Sequence, residues 1–251
     1  MRAISLALVA IMVVGAPVAA QPVFRLLGQV ADEKGAPLAG ADVNLEALYG
    51  YAAGTFAGQR TFSAKTDAKG QWNVMGVKAG VWIVQVTAPG YVPETVGLPI
   101  MILTTVSAGR SGMSLAWTLP LKMERMPDGD RGQSLSAALD AARAGKKADL
   151  RAGLTRLSAG SDADYLSSAG RIAIVGRDFE LAQSLFTSAL QQDQTAYRIP
   201  LGLATDFLAL RDFDSASKAF DAARARTKDK NEQRFITAAL TDLATITVRC
   251  R

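Results

Sequence analysis

Paired aspartates are the residues of this chain whose type and spacing could support chemistry. Asp128 with Asp130 and Asp162 with Asp164 are close pairs of this kind. Two carboxyl groups that face each other across a cleft can serve as acid and as base or nucleophile in glycoside hydrolysis. Both pairs, however, fall in a predicted turn or at a predicted helix start, where aspartate is favoured for its hydrogen bonds to the backbone. We therefore interpret them as turn and cap residues and predict no catalytic residues.

Other common catalytic and metal-binding groups are missing from the sequence. The chain has no histidine, and its only cysteine is Cys250. Histidine-dependent triads, zinc sites built from histidine and cysteine, and haem ligation through histidine are therefore excluded. A Gly-Lys-Ser or Gly-Lys-Thr phosphate-binding loop is also absent. Asp128-Gly129-Asp130 lacks the further oxygen ligands of a calcium loop. We predict no enzyme, no metal site and no cofactor.

The first 20 residues have the pattern of a secretory signal peptide. A positively charged start, Met1-Arg2, precedes a largely apolar run from Ala3 to Val14, and small residues lead to predicted cleavage near Ala20. No later run of about 18 apolar residues predicts a transmembrane segment. We expect a periplasmic or secreted protein, in which Cys250 could pair with a second chain or stay a free thiol.

The charge balance is mild. Lysine and arginine number 28 against 23 aspartates and glutamates, which gives a formal net charge of +5. The longest basic run is Lys146-Lys147, and no basic stripe is interleaved with aromatic residues. These patterns argue against a nucleic-acid partner.

Composition divides the chain into two halves. From Gln21 to Lys122 it is rich in valine, glycine and threonine and holds all three tryptophans, whereas after Met126 it is rich in alanine, leucine, aspartate and arginine. Domains typically have about 100 to 150 residues, so we predict two. The predicted boundaries are 21–122 for the first domain, 123–133 for a linker and 134–251 for the second domain.

Short segments of the first half alternate between apolar and polar residues, which predicts half-buried β-strands. The predicted inward-facing residues include Phe24, Leu26, Val30, Val43, Leu45, Trp72, Val74, Trp82, Val84, Val86, Leu115, Trp117, Leu119 and Leu121. Pro120 restricts the last strand to a sheet edge or to a position whose N–H is not needed. Leu98 to Val106 is a largely apolar run, which we interpret as a strand buried on both faces against the second domain. The pattern favours an antiparallel sandwich or barrel.

Three motifs follow one another along this half. They are Gly28-x-Val30-x-Asp32-x-x-Gly35-x-Pro37-Leu38-x-Gly40-Ala41-x-Val43-x-Leu45, Thr66-Asp67-x-x-Gly70-x-Trp72, and Gly80-x-Trp82-x-Val84-x-Val86-x-Ala88-x-Gly90-Tyr91. In this respect the first half resembles the carboxypeptidase regulatory-like domain. The resemblance implies a seven-stranded, transthyretin-like (prealbumin-like) Greek-key β-sandwich of the carbohydrate-binding-like superfamily. It also implies an accessory, non-catalytic role.

An insertion between Leu45 and Thr61 departs from that family's pattern. It carries three aromatic residues among glycines, Tyr49, Tyr51 and Phe56. Aromatic rings on a loop could stack on a sugar or dock in a partner's pocket. Alternatively, they fold back and cover the open end of the sandwich, because aromatic side chains are usually buried.

The second half contains an internal repeat. The motif Arg-Asp-Phe-x-x-Ala-x-x-x-Phe-x-x-Ala occurs at residues 177–189 and again 34 residues later, at 211–223. This period indicates stacked units that bury their apolar faces against one another. Helical spacing predicts helices over 134–143, 149–157, 162–175, 178–192, 197–210, 212–226 and 232–248. Asp178 and Asp212 are predicted N-caps, and Pro200 is tolerable only in a first turn.

The small, turn and aromatic positions of this motif make the second half similar to the tetratricopeptide repeat, although the proline that often ends a unit is absent. The similarity implies that the inner surface of the first helices binds extended peptides. The lining carried over by position is Asp164, Ser167, Arg171, Arg198, Leu201, Thr205, Glu232 and Phe235. Arg171 and Arg198 are the candidate cations of this groove, and a solvated surface position is the alternative for both.

The sequence thus predicts an α+β multidomain protein, with a β-sandwich followed by helical repeats. Two interaction modules without a catalytic constellation favour a non-catalytic binding or scaffold protein of the cell envelope that holds a protein or peptide in the helical groove. A carbohydrate-binding accessory protein acting through the sandwich is the alternative. A third possibility, an enzyme that uses carboxylates or lysine alone, would need a carboxylate pair in a deep cleft.

Overall fold

The computed structural model describes residues 24–50, 60–100, 116–158 and 161–249. Within these ranges seven β-strands precede seven α-helices. The predicted α+β architecture, a β-sandwich followed by a helical-repeat domain, is confirmed. The predicted signal peptide, Tyr51, Phe56 and Cys250 lie outside the described residues.

The sandwich consists of two sheets. Its strands are β1 (Phe24–Asp32), β2 (Asp42–Tyr49), β3 (Thr61–Lys65), β4 (Gln71–Val77), β5 (Gly80–Thr87), β6 (Glu94–Ile100) and β7 (Ala116–Met123). The strand order is β4-β1-β7 in one sheet and β3-β2-β5-β6 in the other. All pairings between these strands are antiparallel except that of β7, which runs parallel to β1. This pair departs from the antiparallel prediction. Strands β6 and β7 follow each other in the chain but lie in different sheets, so β7 pairs with β1 and not with β6.

The alternating pattern of the sequence places the predicted residues in the core. Leu26, Val30, Val43 and Leu45 are all buried. Trp72 and Trp82 are buried as well, so the core positions predicted for these two tryptophans are confirmed. The strand that contains Pro120 lies at a sheet edge, as its missing N–H required.

The helices are α1 (Gly129–Arg143), α2 (Lys147–Ser158), α3 (Ala163–Val175), α4 (Phe179–Gln192), α5 (Arg198–Ala209), α6 (Phe213–Arg226) and α7 (Lys230–Arg249). The predicted N-caps are confirmed, since the carboxylates of Asp178 and Asp212 accept hydrogen bonds from backbone N–H groups in the first turns of α4 and α6. Pro200 lies in the first turn of α5, where a missing N–H costs nothing. None of the described helices combines the length and the apolarity needed to span a bilayer.

Small residues let the helices of the repeat approach one another. Phe186 is fully buried, and a Cβ added at Gly170 or Gly202 would lie within 2.8 Å or 2.5 Å of its ring. Phe220 occupies the equivalent position of the next unit and is also fully buried. The aromatic and small positions of the motif thus pack as a repeat requires.

The predicted linker, residues 123–133, is largely structured. Tyr91 and Arg125 form a β-bridge, and the backbone N–H of Val92 donates to the carbonyl of Glu124 at 2.9 Å. Helix α1 begins at Gly129, inside the predicted linker. The segment between the domains is therefore tied to the sandwich by backbone hydrogen bonds.

The helical domain covers one edge of the sandwich. Strand β6 is the outer strand of its sheet, and α3, α5 and α7 pack against it. All seven residues of β6 are buried. An uncovered edge strand invites pairing with another chain, so this packing protects it. The prediction that Leu98–Ile100 is buried against the second domain is confirmed; the strand begins earlier, at Glu94, and residues 101–106 lie outside the described ranges.

Candidate functional site

Equivalent residues of α3 and α5 contact β6. The guanidinium of Arg171 donates to the carboxylate of Glu94 at 2.9 Å, and the hydroxyl of Thr205 accepts from the backbone N–H of Gly97, also at 2.9 Å. A strand rises about 3.3 Å per residue, so Glu94 and Gly97 lie about 10 Å apart along β6. Packed helices are typically separated by about 8 to 10 Å. Strand β6 therefore crosses α3 and α5, and the distance between its two contact residues matches the distance between equivalent helices of the repeat.

A buried ion-pair cluster joins the two domains. Arg171, only 3% exposed, pairs with Glu94 of β6 and with Glu124, and Arg198 of α5 pairs with the same Glu124. Burial raises the pKa of Glu94, although Arg171 and Arg198 oppose this effect. Burial acts in the same direction on Glu124, but there the two arginines prevail and lower the pKa of its carboxyl. Because a buried charge without its partner is costly, this cluster fixes the position of β6 against the repeats.

The structure brings Arg171, Arg198 and Phe235 of the predicted groove together, but places them under the sandwich. The side chains of Arg171 and Arg198 are both engaged by Glu124, and Phe235 is 7% exposed and lines a small cavity with Leu121 of β7. The predicted groove is therefore the surface on which the chain's own strands lie. Covering the apolar edge strand β6 stabilises the fold more than an empty groove would.

Tyr49, the candidate sugar-stacking residue that the structure describes, lies in the same domain interface. Its side chain is buried, and its hydroxyl donates to the carbonyl of Leu208 at 2.5 Å. The guanidinium of Arg211 lies 4.3 Å from the centre of its ring, and the ring centre of Phe213 is 6.3 Å away. The ring of Tyr49 is thus buried against the helical domain, whereas the alternative prediction placed the aromatic residues over the open end of the sandwich.

The arginine that opens each repeat motif also contacts the sandwich. Arg177 pairs with Glu46 of β2, as Arg211 stacks on Tyr49 at the end of the same strand. Both arginines have a positive φ, 57° and 62°, which residues other than glycine rarely adopt. The sequence contained a signal for these contacts with β2, because an arginine recurs in both repeats at the turn between two helices, where glycine is usually favoured.

One part of this surface remains open. Beyond the start of β6, a cleft of about 510 Å³ separates α3 from the segment that leads into α1. Its lining includes Glu124, Arg125, Arg131, Asp162, Asp164 and Tyr165. We call it the Asp164 cleft, because Asp164 is the predicted groove residue that lies open to it.

Charges of both signs line the Asp164 cleft. Arg131 pairs with Asp162 at 2.7 Å and lies over the ring of Tyr165, 4.9 Å from its centre. Asp164 takes part in no ion pair or hydrogen bond with the described residues. Burial raises the pKa of Asp164, and the carboxylates of Glu124 and neighbouring aspartates raise it further. The guanidinium of Arg171 opposes this increase in pKa. The cleft therefore holds a carboxylate that has no ion-pair partner among the described residues.

The aspartates considered for catalysis lie at the starts of α1 and α3. Asp162 caps α3 by accepting from a backbone N–H, whereas Asp128 precedes α1 without such a bond and Asp130 lies in the first turn of α1. In the described part of the chain, no group of three or more acidic residues, cysteines or histidines is placed to hold a metal ion.

Comparisons with known proteins give partial matches. No curated protein sequence matches the chain. PcrH from Pseudomonas aeruginosa is 22% identical, with 48% of this chain and 96% of PcrH covered and a TM-score of 0.38. A structure of PcrH in complex with the chaperone binding region of PopD is 24% identical, with 47% and 92% covered and the same TM-score of 0.38.

Catechol and chlorocatechol dioxygenases form a second group of partial matches. 3-Chlorocatechol 1,2-dioxygenase from Rhodococcus opacus 1CP is 12% identical over 42% of this chain, with a TM-score of 0.35. This chain spans 61% of that enzyme, and 54% of catechol 1,2-dioxygenase from Pseudomonas arvilla C-1. Similarity at this level does not indicate a shared activity.

The first half gives the more specific result. The resemblance noted in its sequence rests on motifs that the structure places in β1, β2, β4 and β5 and in the turns between strands. Residues 25–111, a span that includes β2 to β6 and all but the first residue of β1, match the family model of the carboxypeptidase regulatory-like domain.

Proposed function

We propose that this chain is a non-catalytic binding or scaffold protein of the cell envelope, periplasmic or secreted, that binds a protein partner in the Asp164 cleft. The observation that carries the proposal is the domain interface. Arg171, Arg198 and Tyr49, which could have bound a ligand, hold the two domains together instead. The Asp164 cleft, which Arg198 and Glu124 also line, is open beside these residues.

The chemistry of the interface supports a non-catalytic role. Glu94 and Glu124 are buried or half-buried carboxylates, and each is paired with arginine. A general acid or base must reach the proton that it transfers and change its charge during the reaction. Carboxylates locked between two domains by arginine meet neither condition.

A polypeptide suits the cleft better than a sugar does. Sugar stacking needs a free aromatic face, but the ring of Tyr165 is covered by Arg131 and Tyr49 is buried. The lining offers charges of both signs, which a polypeptide can match along its length. Large exposed apolar side chains are scarce in the described ranges, where only Met75 and Leu210 qualify, so polar contacts must supply the specificity.

Site-specific photo-crosslinking in the native host tests this proposal. A photo-reactive phenylalanine analogue replaces Arg125, which is exposed in the cleft lining, and in a matched control it replaces Met75, which is 67% exposed on β4. We expect a protein adduct specific to position 125, in an envelope fraction that also contains the processed chain. Adducts that are absent, or identical at both positions, would show that the cleft binds no protein partner.

A further inference from the structure

Charged residues occupy equivalent positions in the first turns of three helices. Asp164 in α3, Arg198 in α5 and Glu232 in α7 follow one another at intervals of 34 residues. Glu232 pairs with Lys122 at 3.2 Å, and Arg198 pairs with Glu124. Lys122 and Glu124 are alternate residues of one extended segment, so their side chains point to the same side. Glu232 of α7 and Arg198 of α5 thus each pair with a residue of opposite charge on this segment.

The third position of this series has no partner from the chain itself. After Glu124 the segment passes through Pro127, bends at Asp128 and enters α1 at Gly129. Beyond Glu124 the segment supplies no partner to Asp164, which forms no ion pair or hydrogen bond with the described residues. The Asp164 cleft is lined by Asp164 and by Glu124, Arg125 and Pro127 of this segment.

The arginines that line the cleft are engaged elsewhere. Arg131 pairs with Asp162 at 2.7 Å, and Arg198 pairs with Glu124. The guanidinium of Arg125 lies over a tyrosine ring of the sandwich, 5.7 Å from its centre. None of them forms an ion pair with the remaining carboxylate, so a cation from another molecule can pair with it without displacing an existing contact. The cleft, about 510 Å³, is within the usual size of a binding pocket, roughly 300 to 1,000 Å³.

We propose that the Asp164 cleft binds a basic side chain, lysine or arginine, from an extended segment of the partner protein. This side chain pairs with Asp164 and continues the series of opposite charges that Lys122 and Glu124 begin on α7 and α5. The inference rests on the proposed function, since it names the chemistry of the partner at that same site.

A selection with random linear peptides tests the inference on the full chain. Selected peptides are labelled, and their affinity is measured by fluorescence anisotropy for the wild type, D164N and D164R. The control is D221N, which changes an exposed aspartate on α6, outside the cleft lining. We expect the selected peptides to contain a lysine or arginine that is required for binding. Their affinity should fall about threefold to fivefold in D164N and about tenfold in D164R, and it should not change in D221N. Replacing that basic residue by glutamate should restore binding to D164R.

Two outcomes overturn the inference, and they differ in what they leave standing. Peptides that crosslink at position 125 but bind D164N as well as the wild type would leave the cleft as a protein-binding site and remove the role of Asp164. Failure to select any peptide that crosslinks at position 125 would remove the binding site as well. Asp164 is exposed, so D164N should keep the wild-type urea midpoint, which confirms that a loss of binding is not a loss of fold.

Discussion

Asp206 is a carboxylate in an apolar setting. It is fully buried in α5, and neither of its carboxylate oxygens has a hydrogen-bond partner among the described residues. Burial raises its pKa to about 7. The residue 34 positions earlier is Ile172, which is also fully buried. One unit of the repeat thus has a titratable group where the preceding unit has a hydrocarbon side chain.

The free energy of unfolding of the wild type should fall as the pH rises, and we expect the D206L variant to lack this fall. The pKa is about 7 in the folded chain against an ordinary value of 3.8, so the unfolded chain ionises first. The stability due to the neutral carboxyl is therefore complete below about pH 4 and is lost as the pH rises towards 7. At about 1.4 kcal/mol per pKa unit, D206L should gain about 2 to 4 kcal/mol on the wild type between these limits.

Urea unfolding at a series of pH values measures this difference. D206N is the matched control, because its amide cannot ionise but stays buried without a partner, so its free energy of unfolding should be less pH-dependent than the wild type's and lower than that of D206L. If the free energies of unfolding of the wild type and of D206L changed in parallel with pH, the expectation would be contradicted.

At the scale of elements, the contact between β6 and α5 depends on the absence of a side chain. A Cβ added at Gly97 would lie 2.8 Å from the side chain of Leu208 and 3.1 Å from the Cα of Thr205. The backbone N–H of Gly97 also donates to the hydroxyl of Thr205. Any larger residue here must push the strand away from the helix.

G97A and G153A should therefore change stability in opposite directions. We expect G97A to lower the free energy of unfolding by about 1 to 3 kcal/mol through overpacking at the interface. Gly153 lies inside α2 with open space around its added Cβ, so G153A should raise it by about 0.5 to 1 kcal/mol through helix propensity. Urea unfolding of both variants measures the two changes. A G97A variant as stable as the wild type would show that β6 and α5 do not pack closely.

The sequence predicted those elements whose signals are local. Asp178 and Asp212 were identifiable as caps because each directly precedes a run of apolar residues at helical spacing, and Trp72 and Trp82 were identifiable as core residues from alternation. The apolar run at Leu98 indicated a strand buried on both faces. Each inference needs only the residues within one or two turns of chain.

The candidate site depends on contacts between distant residues, which is why it was predicted only in part. Arg171 was recognised as a charge on the inner helical surface, but its partner Glu94 is 77 positions away. Glu94 gives one hint, since it is a lone charge at the start of an apolar strand. Within the series Asp164, Arg198 and Glu232, Asp164 lacks a partner among the described residues because the chain bends at Asp128, and no spacing in the sequence specifies that bend.

At the scale of the whole molecule, contacts between the domains come from many elements. Strand β2 contributes Tyr49 and Glu46, β6 contributes Glu94, and the end of β7 contributes Lys122 and the segment that follows it. Their partners lie on α3, α5, α7 and the turns of both repeats. Separating the domains would expose the buried edge strand and leave charged groups without partners. The two domains should therefore unfold together.

Two spectroscopic probes can follow the domains separately. All three tryptophans belong to the first half, so intrinsic fluorescence reports on the sandwich, whereas circular dichroism at the helical band reports mainly on the repeats. We expect the same urea midpoint from both probes.

R171M should shift both midpoints equally, because it leaves Glu94 buried without its partner, at a cost of about 3 kcal/mol. R156Q, at an exposed position of α2, should shift neither. Two separate midpoints, or a shift in R171M that only the helical signal shows, would mean that the domains unfold independently and that the ion-pair cluster does not couple them.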